Sequence, residues 1–300
     1  MKTLCIYHGG CPDGYAAAWC VRKALGDAVE FYPGVYQKDP PPCDGRDVIL
    51  VDFSYKAHVL HEMASKAATI LILDHHKTAQ EDLASLPPPL DGPYNPAAML
   101  AWQRECNSPN AMHALFDMDR SGAAIAWDYF VAGERPDFIE YVQDRDLWRK
   151  QKAFGDQFSI ALASYPQDFM VWDMLIERGV SSLIEEGYSI NRYYRQRVEE
   201  LKSHAYMAKL GNHLVCIANA PYFAASEVAG ELSHREGAAF GACYFEVEPG
   251  KFQYSLRSRG DFDVSAVAKQ FGGGGHKAAA GFALRGVAHR PVDSLGNETK

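Results

Sequence analysis

Two short runs, VILV at residues 48–51 and ILIL at residues 70–73, are apolar at every position, and each is followed at once by an aspartate. A strand with one wet face alternates apolar and polar residues, so an unbroken apolar run belongs to a strand covered on both faces. A parallel sheet with helices on either side meets that condition. A third apolar run lies at residues 4–7, and residues 14–25 (rich in Ala) and 56–68 read as helices. Strands alternating with helices predict an α/β domain built on a parallel sheet. Proline-rich patches at residues 40–42 and 87–89 read as loops, and from residue 120 to about 178 the pattern turns mostly helical.

A second βα pattern follows. Residues 181–204 contain no proline, and from about Ser189 they read as a long helix, with Arg195 and Glu199 at i,i+4 spacing. The RYYRQR stretch at residues 192–197 reads as a solvated helix face and not as a nucleic-acid patch, because glutamates follow at once. Gly211 and Asn212 end the helix. Strands are predicted at residues 213–218, 239–247, 251–256 and near 279–284, and helices at 225–235 and 264–271. Three hundred residues suit two domains. The expected division is a first domain over 1–180, a helical linker over 181–210, a smaller α/β domain over 211–286, and a flexible tail over 287–300.

Composition narrows the function. Thirty Lys and Arg against 38 Asp and Glu give a net charge of −8, which argues against coating long duplex nucleic acid but leaves room for one basic pocket. At 47% hydrophobic and 23% charged the chain is in the soluble globular range. No apolar run approaches the ~20 residues of a membrane helix, and MKTLCIY is too short an apolar stretch for a signal peptide. Seven scattered cysteines without a CxxC pair make neither a disulfide framework nor a zinc ribbon. A cytoplasmic enzyme is the expectation.

The chemistry gathers at strand ends. The first apolar run ends in His8, followed by GGCPDG with Asp13; the second ends in Asp52; the third in Asp74, His75 and His76. In an open parallel sheet, ligands bind beyond the carboxyl ends of the strands. Alone, Asp52 reads as a cap or turn residue, and a single histidine reads as a hydrogen-bonded core or surface group. Together they point to a site for divalent metal, Mn²⁺ before Mg²⁺ or Zn²⁺. Two ions sharing one aspartate would neutralise the carboxylates and clamp a phosphoester for in-line displacement.

In the second half, Gly272 to Gly275 followed by His276 would let backbone N–H groups approach an anion. His276, Lys277, Arg257 and Arg259 add donors there. Arg120 and Ser121, at the start of the RSGAAIAW helix, are placed either to meet an anion or simply to cap that helix.

HGGCPDG, VDFS, LDHHK, DRSGAAIAW and QDRDLW in the first domain, with SLRSR and GGGGHKAAAGF in the second, resemble the DHH phosphoesterase superfamily. The likeness is to its RecJ-like and nano-RNase-like members, which pair a DHH domain with a DHH-associated domain. It runs from about residue 4 to 284. The resemblance implies that His8, Asp13, Asp52, His75 and Asp144 bind two metal ions, with Asp52 bridging. It implies that Asp74 orients a histidine and that His76 faces the scissile phosphate or leaving oxygen. Asp146 is the rival of Asp144, and the alternative for either is a helix-surface carboxylate paired with Arg145 or Arg149. Cys11 stands where an aspartate is usual; as a ligand it would favour Zn²⁺, and otherwise it is a small buried residue. By the same resemblance Arg257, Ser258, Arg259, Gly273, Gly274, Gly275, His276 and Lys277 grip the nucleotide or its terminal phosphate.

The expected function is a metal-dependent phosphodiesterase hydrolysing short oligonucleotides, linear dinucleotides or cyclic nucleotides to mononucleotides. The alternatives are a phosphomonoesterase or polyphosphatase on the same metals, and a nucleotide-binding sensor without turnover. Expected partners are short nucleic acid or a small nucleotide, with no long duplex DNA and no membrane; a homodimer is left open.

Overall fold

In the computed structural model, which describes residues 3–36 and 38–293, one sheet is built from β1 (Thr3–His8), β2 (Val29–Gly34), β3 (Asp47–Val51), β4 (Thr69–Asp74) and β5 (Met112–Phe116). All its pairings are parallel, in the order β2-β1-β3-β4-β5. The unbroken apolar runs follow from this layering. Leu4, Ile6, Val48, Leu50, Ile70 and Ile72 face one core with Leu60 and Met63. Cys5, Ile49, Val51, Leu71 and Leu73 face the other. Each fully buried aliphatic side chain contributes about 1.5–3 kcal/mol, so a polar residue at any of these positions would have no wet face to turn to.

Helix α1 (Pro12–Leu25) starts with proline at its first turn and buries a run of alanines, Ala16 to Ala18. Small side chains let it lie close to α5 (Gly122–Ala126), itself wholly buried. Between them in sequence come α2 (Ala57–Ala64), α3 (Lys77–Asp82) and α4 (Pro96–Glu105). A π-helical turn, Trp127–Val131, follows α5, and then α6 (Asp137–Asp146), α7 (Gly155–Ala163), α8 (Phe169–Arg178) and α9 (Val180–Lys202).

The chain divides into two compact units, Met1–Asn191 and Arg192–Lys300, with the break inside α9. The second unit holds β6 (Tyr206–Leu210), β7 (His213–Asn219), α10 (Tyr222–Leu232), β8 (Gly241–Glu248), β9 (Lys251–Arg257), α11 (Val264–Gln270), β10 (Gly274–Gly275), β11 (Ala279–Arg285) and β12 (His289–Pro291). Its sheet runs β10-β11-β9-β8-β7-β6-β12, antiparallel except for the β7–β8 pair that α10 connects.

Three details depart from the sequence reading. Helix α9 begins at Val180, not near Ser189, and residues 206–210 form strand β6, not linker. The chain past residue 286 pairs again, with His289 of β12 opposite Leu210; residues 294–300 of the expected tail lie outside the described residues. Arg195 of α9 reaches Glu227 at 3.1 Å and Glu231 at 3.4 Å, and buried Glu227 on α10 thereby gains the counter-charge it needs. Among the described residues no helix is long and apolar enough to cross a membrane.

Candidate metal centre

Strand order reverses between β1 and β3, and His8 ends β1 while Asp52 follows β3 directly. This is the crevice where sheets of this order receive ligands. Asp52 adopts φ 53°, a left-handed backbone that a side chain rarely takes. Its carboxylate faces two imidazoles, Oδ1 at 2.9 Å from His75 Nε2 and Oδ2 at 3.4 Å from His8 Nδ1. Asp13, fully buried in the first turn of α1, accepts from the Gly122 amide at 2.6 Å and the Ala123 amide at 3.2 Å. The His75 ring nitrogen is 3.7 Å from Asp13.

Two glycines make this closeness achievable. A Cβ on Gly122 would sit 2.4 Å from the Asp52 Cβ, and one on Gly14 would sit 2.5 Å from the His8 carbonyl oxygen. The glycine in DRSG therefore lets the start of α5 come down on both aspartates. Beside it, the Ser121 hydroxyl accepts from the Ala124 amide as the helix cap. The Arg120 guanidinium holds Asp117 at 2.7 Å and Asp128 at 2.6 Å.

Asp74 uses a single oxygen to accept from the His75 amide at 2.8 Å and to meet His76 Nδ1 at 2.7 Å. That fixes the ring of His76, whose neighbour is His8 at 5.8 Å between centroids. At the end of α6 the structure selects Asp146, 3.5 Å from His75. Asp144 lies two residues away on the helix, about 200° round its axis, and its carboxylate accepts from the Gln151 amide at 2.8 Å. Asp146, and not Asp144, is therefore the carboxylate of α6 that the structure brings to Asp52 and His75. Cys11 precedes α1 without capping it. Burial, and then the charges of Asp52, Asp146 and Asp13, push its thiol well up.

Two sets of donor atoms within 4.8 Å of one another share Asp52: Asp13, Asp52 and His75, all buried, and His8, Asp52 and His76. Cys11 belongs to neither. Burial raises the Asp13 carboxyl well above its usual range, and the neighbouring Asp52 and Asp146 raise it further. For Asp52, burial pushes the same way, but contacts with His75 and His8 outweigh it and hold the acid well below the usual range. Burial alone would lower His75; Asp52, Asp146 and Asp13 instead raise it to about 10. Tyr36, just past β2, was not anticipated. Its ring lies edge-on to His8 at 5.2 Å and His76 at 6.2 Å, and a charge-centred search of the sequence has no reason to find it.

A family model of the DHHA1 domain matches residues 212–292. "Uncharacterized protein R106" of Acanthamoeba polyphaga mimivirus is 30% identical over 307 residues, covering 94% of this chain and 67% of its own length. An exopolyphosphatase-related protein from Bacteroides fragilis, 12% identical, shares the fold over 95% of this chain and 88% of that one, with a TM-score of 0.50. The DHH domain of a member of the s1p family of ribosomal proteins, also 12% identical, does so over 95% and 83%, again at 0.50. Residues 212–292 thus carry a DHHA1 domain, and the chain as a whole has the fold of these DHH-type structures.

The DHHA1 unit places its glycines for close packing. Gly275 has φ 136°, and a Cβ on Gly273 would sit 2.1 Å from the Gly281 carbonyl oxygen. Gly274 and Gly275 pair with β11 as a two-residue edge strand. Of the side chains expected to hold substrate, Ser258 donates to the Phe262 carbonyl at 2.7 Å. Lys277 pairs with Asp261 at 2.8 Å, and Arg257 donates to the Ser226 hydroxyl at 2.7 Å. Arg259 is exposed in the loop after β9. The His276 amide donates to the Ala279 carbonyl at 2.8 Å.

The donor set of the first unit suits a divalent metal. Oδ2 of Asp52 and Oδ2 of Asp146 are buried with no hydrogen bond, a costly state for carboxylate oxygens unless a cation faces them. Oxygen and imidazole donors suit Mn²⁺, Mg²⁺ or Zn²⁺.

Proposed function

We propose that this DHH chain is a divalent-metal-dependent phosphodiesterase that hydrolyses short oligonucleotides, linear dinucleotides or cyclic nucleotides to mononucleotides. The observation that carries the reading is Asp52, common to two donor sets and retaining a buried oxygen without a hydrogen bond. His8, Asp13, Asp52, His75 and Asp146 would hold a pair of divalent ions, and that group would supply charge stabilisation for a phosphoryl group and would acidify a water for attack.

The chain's own residues supply the alignment. Asp13 is held by two amides and Asp52 by a left-handed backbone, so neither has to reorganise on loading. His75 gives up its proton to serve as a ligand. His76, with Nδ1 committed to Asp74 and its basicity raised by that carboxylate against the effect of burial, would donate from Nε2 to a phosphate or leaving oxygen. The net charge of −8 favours a short anionic substrate over a long one. In the DHHA1 unit, the glycine-rich edge with Arg257, Arg259, His276 and Lys277 would bind nucleotide phosphate.

The test is product analysis of the full chain with Mn²⁺. The panel is 5′-labelled RNAs and DNAs of two to twenty nucleotides, cyclic mono- and dinucleotides, nucleoside bisphosphates and polyphosphate. Mononucleotides formed fastest from the shortest oligomers, or turnover of cyclic substrates, support the proposal. Phosphate released from bisphosphates or polyphosphate alone would replace it with a phosphomonoesterase or polyphosphatase, and binding without product would replace it with a sensor.

A further inference from the structure

Tyr36 is an aromatic residue at a site otherwise made of acids and imidazoles, and it is open. It keeps 46% of its surface accessible, whereas Phe53, on which it packs at 4.8 Å between centroids, is completely buried. Phe53 in turn meets Tyr55 at 4.9 Å. The ring is thus propped from behind by core and held edge-on to His8 and His76, with interplanar angles of 68° and 77°.

Gly34, two residues earlier, is needed for this arrangement, because a Cβ there would lie 2.8 Å from the Phe53 ring. Open aromatic area costs hydration. The ring face of such a wall offers no stacking to an inorganic phosphate chain, which has no face of its own. It suits a nucleobase, since every base has a π-face and base–aromatic stacking tolerates sequence.

We propose that Tyr36 is the stacking platform for the base of a nucleoside flanking the scissile phosphate, which makes the substrate of this site a nucleobase-bearing phosphodiester selected without regard to base identity. The proposal rests on the phosphodiesterase reading of the same site. It deepens that reading, because it separates nucleotides from polyphosphate by a residue outside the donor sets.

The experiment compares the full-length wild type, Tyr36→Ala and Tyr36→Phe with Mn²⁺ on dinucleotides of each base, on a dinucleotide analogue with abasic sugars, and on tripolyphosphate. Calorimetric binding of a non-hydrolysable methylenephosphonate-linked dinucleotide is measured alongside. Tyr36→Ala is expected to weaken dinucleotide binding and raise KM roughly 5- to 150-fold, similarly for all bases. The abasic analogue should change by less than about threefold, and Tyr36→Phe, which keeps the ring, should restore the dinucleotide values.

Equal losses on dinucleotide and abasic analogue, a Tyr36→Phe defect as large as that of Tyr36→Ala, or no change in any variant would each overturn the platform while leaving the phosphodiesterase reading in place. A wild type that cleaves tripolyphosphate and no dinucleotide would overturn that reading, and the platform with it.

Discussion

The carboxyl edge of the first sheet and the glycine-rich edge of the second are both dense in glycine and polar residues, yet they are built in opposite ways. At the first, Asp13, Asp52, Asp74 and His75 are all but inaccessible, and oxygens of Asp52, Asp74 and Asp146 make no hydrogen bond. Glycines there let α5 and α1 approach acids and an imidazole strand end. At the second, polar side chains bind the chain to itself: Ser258 to Phe262, Lys277 to Asp261, Arg257 to Ser226. Buried carboxylate oxygens left without a hydrogen bond ask for a ligand. Polar groups already bonded within the chain build a scaffold.

The contrast breaks most sharply at Asp52. Asp52→Asn is expected to lower turnover by about 10³-fold or more and to abolish the rise in melting temperature that Mn²⁺ gives the wild type. Retained turnover would show that the buried acids are not the reactive centre. Next comes the pair at the end of α6. Asp146→Asn should lower turnover about 10²-fold or more, whereas Asp144→Asn should leave it within about tenfold; the reverse ranking in steady-state assays would restore Asp144 as the ligand.

Stability gives the third comparison. A methyl group at Gly122 would meet the Cβ and the backbone Cα of Asp52 at 2.4 and 2.9 Å. Gly122→Ala should therefore destabilise the first unit by about 2–4 kcal/mol in urea unfolding, since a buried backbone cannot step aside. The second unit responds to pH through His289. Its Nδ1 meets the Tyr254 hydroxyl and its Nε2 the Tyr206 hydroxyl, both at 2.8 Å. Tyr254 accepts from the Ala288 amide, so its proton points to Nδ1, and the ring carries its own on Nε2.

Burial lowers the His289 pKa to about 4 from 6.5. As pH falls from 6.5 to 4 the unfolded chain takes up a proton that the folded chain refuses, and stability drops by up to about 3 kcal/mol. His289→Phe should remove that part of the pH slope, measured as the difference between variant and wild-type unfolding at pH 7 and 4.5.

Much of this was legible in the sequence, for physical reasons. Strands β3 and β4, buried on both faces, are apolar throughout, and the acids and imidazoles follow them directly. Strand β2 carries VEFYPG, with a proline and only its two end residues buried, and β5, MHALF, is five residues long with a histidine inside it; neither announces a buried strand, and Tyr36 follows β2. Asp144 and Asp146 differ only by rotation about a helix axis, which a one-dimensional pattern leaves undetermined until the packing of α6 is known. Arg120 reads equally as an anion contact or a capping residue, because one of its two carboxylate partners, Asp128, is eight residues away within a π-helical turn that no local propensity announces.

The smallest effect tests the scaffold half of the contrast most directly. Ser258 lies at the end of β9, 7% exposed, with its amide donating to the Ala278 carbonyl at 3.0 Å and its hydroxyl to the Phe262 carbonyl. The amide bond fastens the 258–262 loop to the segment leading into β11, as does a longer bond from the hydroxyl to the Lys277 carbonyl at 3.3 Å, while the bond to Phe262 closes the loop on itself. Ser258→Ala keeps the amide bond and removes those of the hydroxyl, and should cost about 1 kcal/mol. KM for a dinucleotide should then move by less than about threefold, because a residue that only fastens a loop already held by its backbone shifts the loop little. A large rise in KM with unchanged stability would mean that the hydroxyl turns to the substrate when one is bound. The glycine-rich edge would then resemble the metal centre more than its resting geometry suggests.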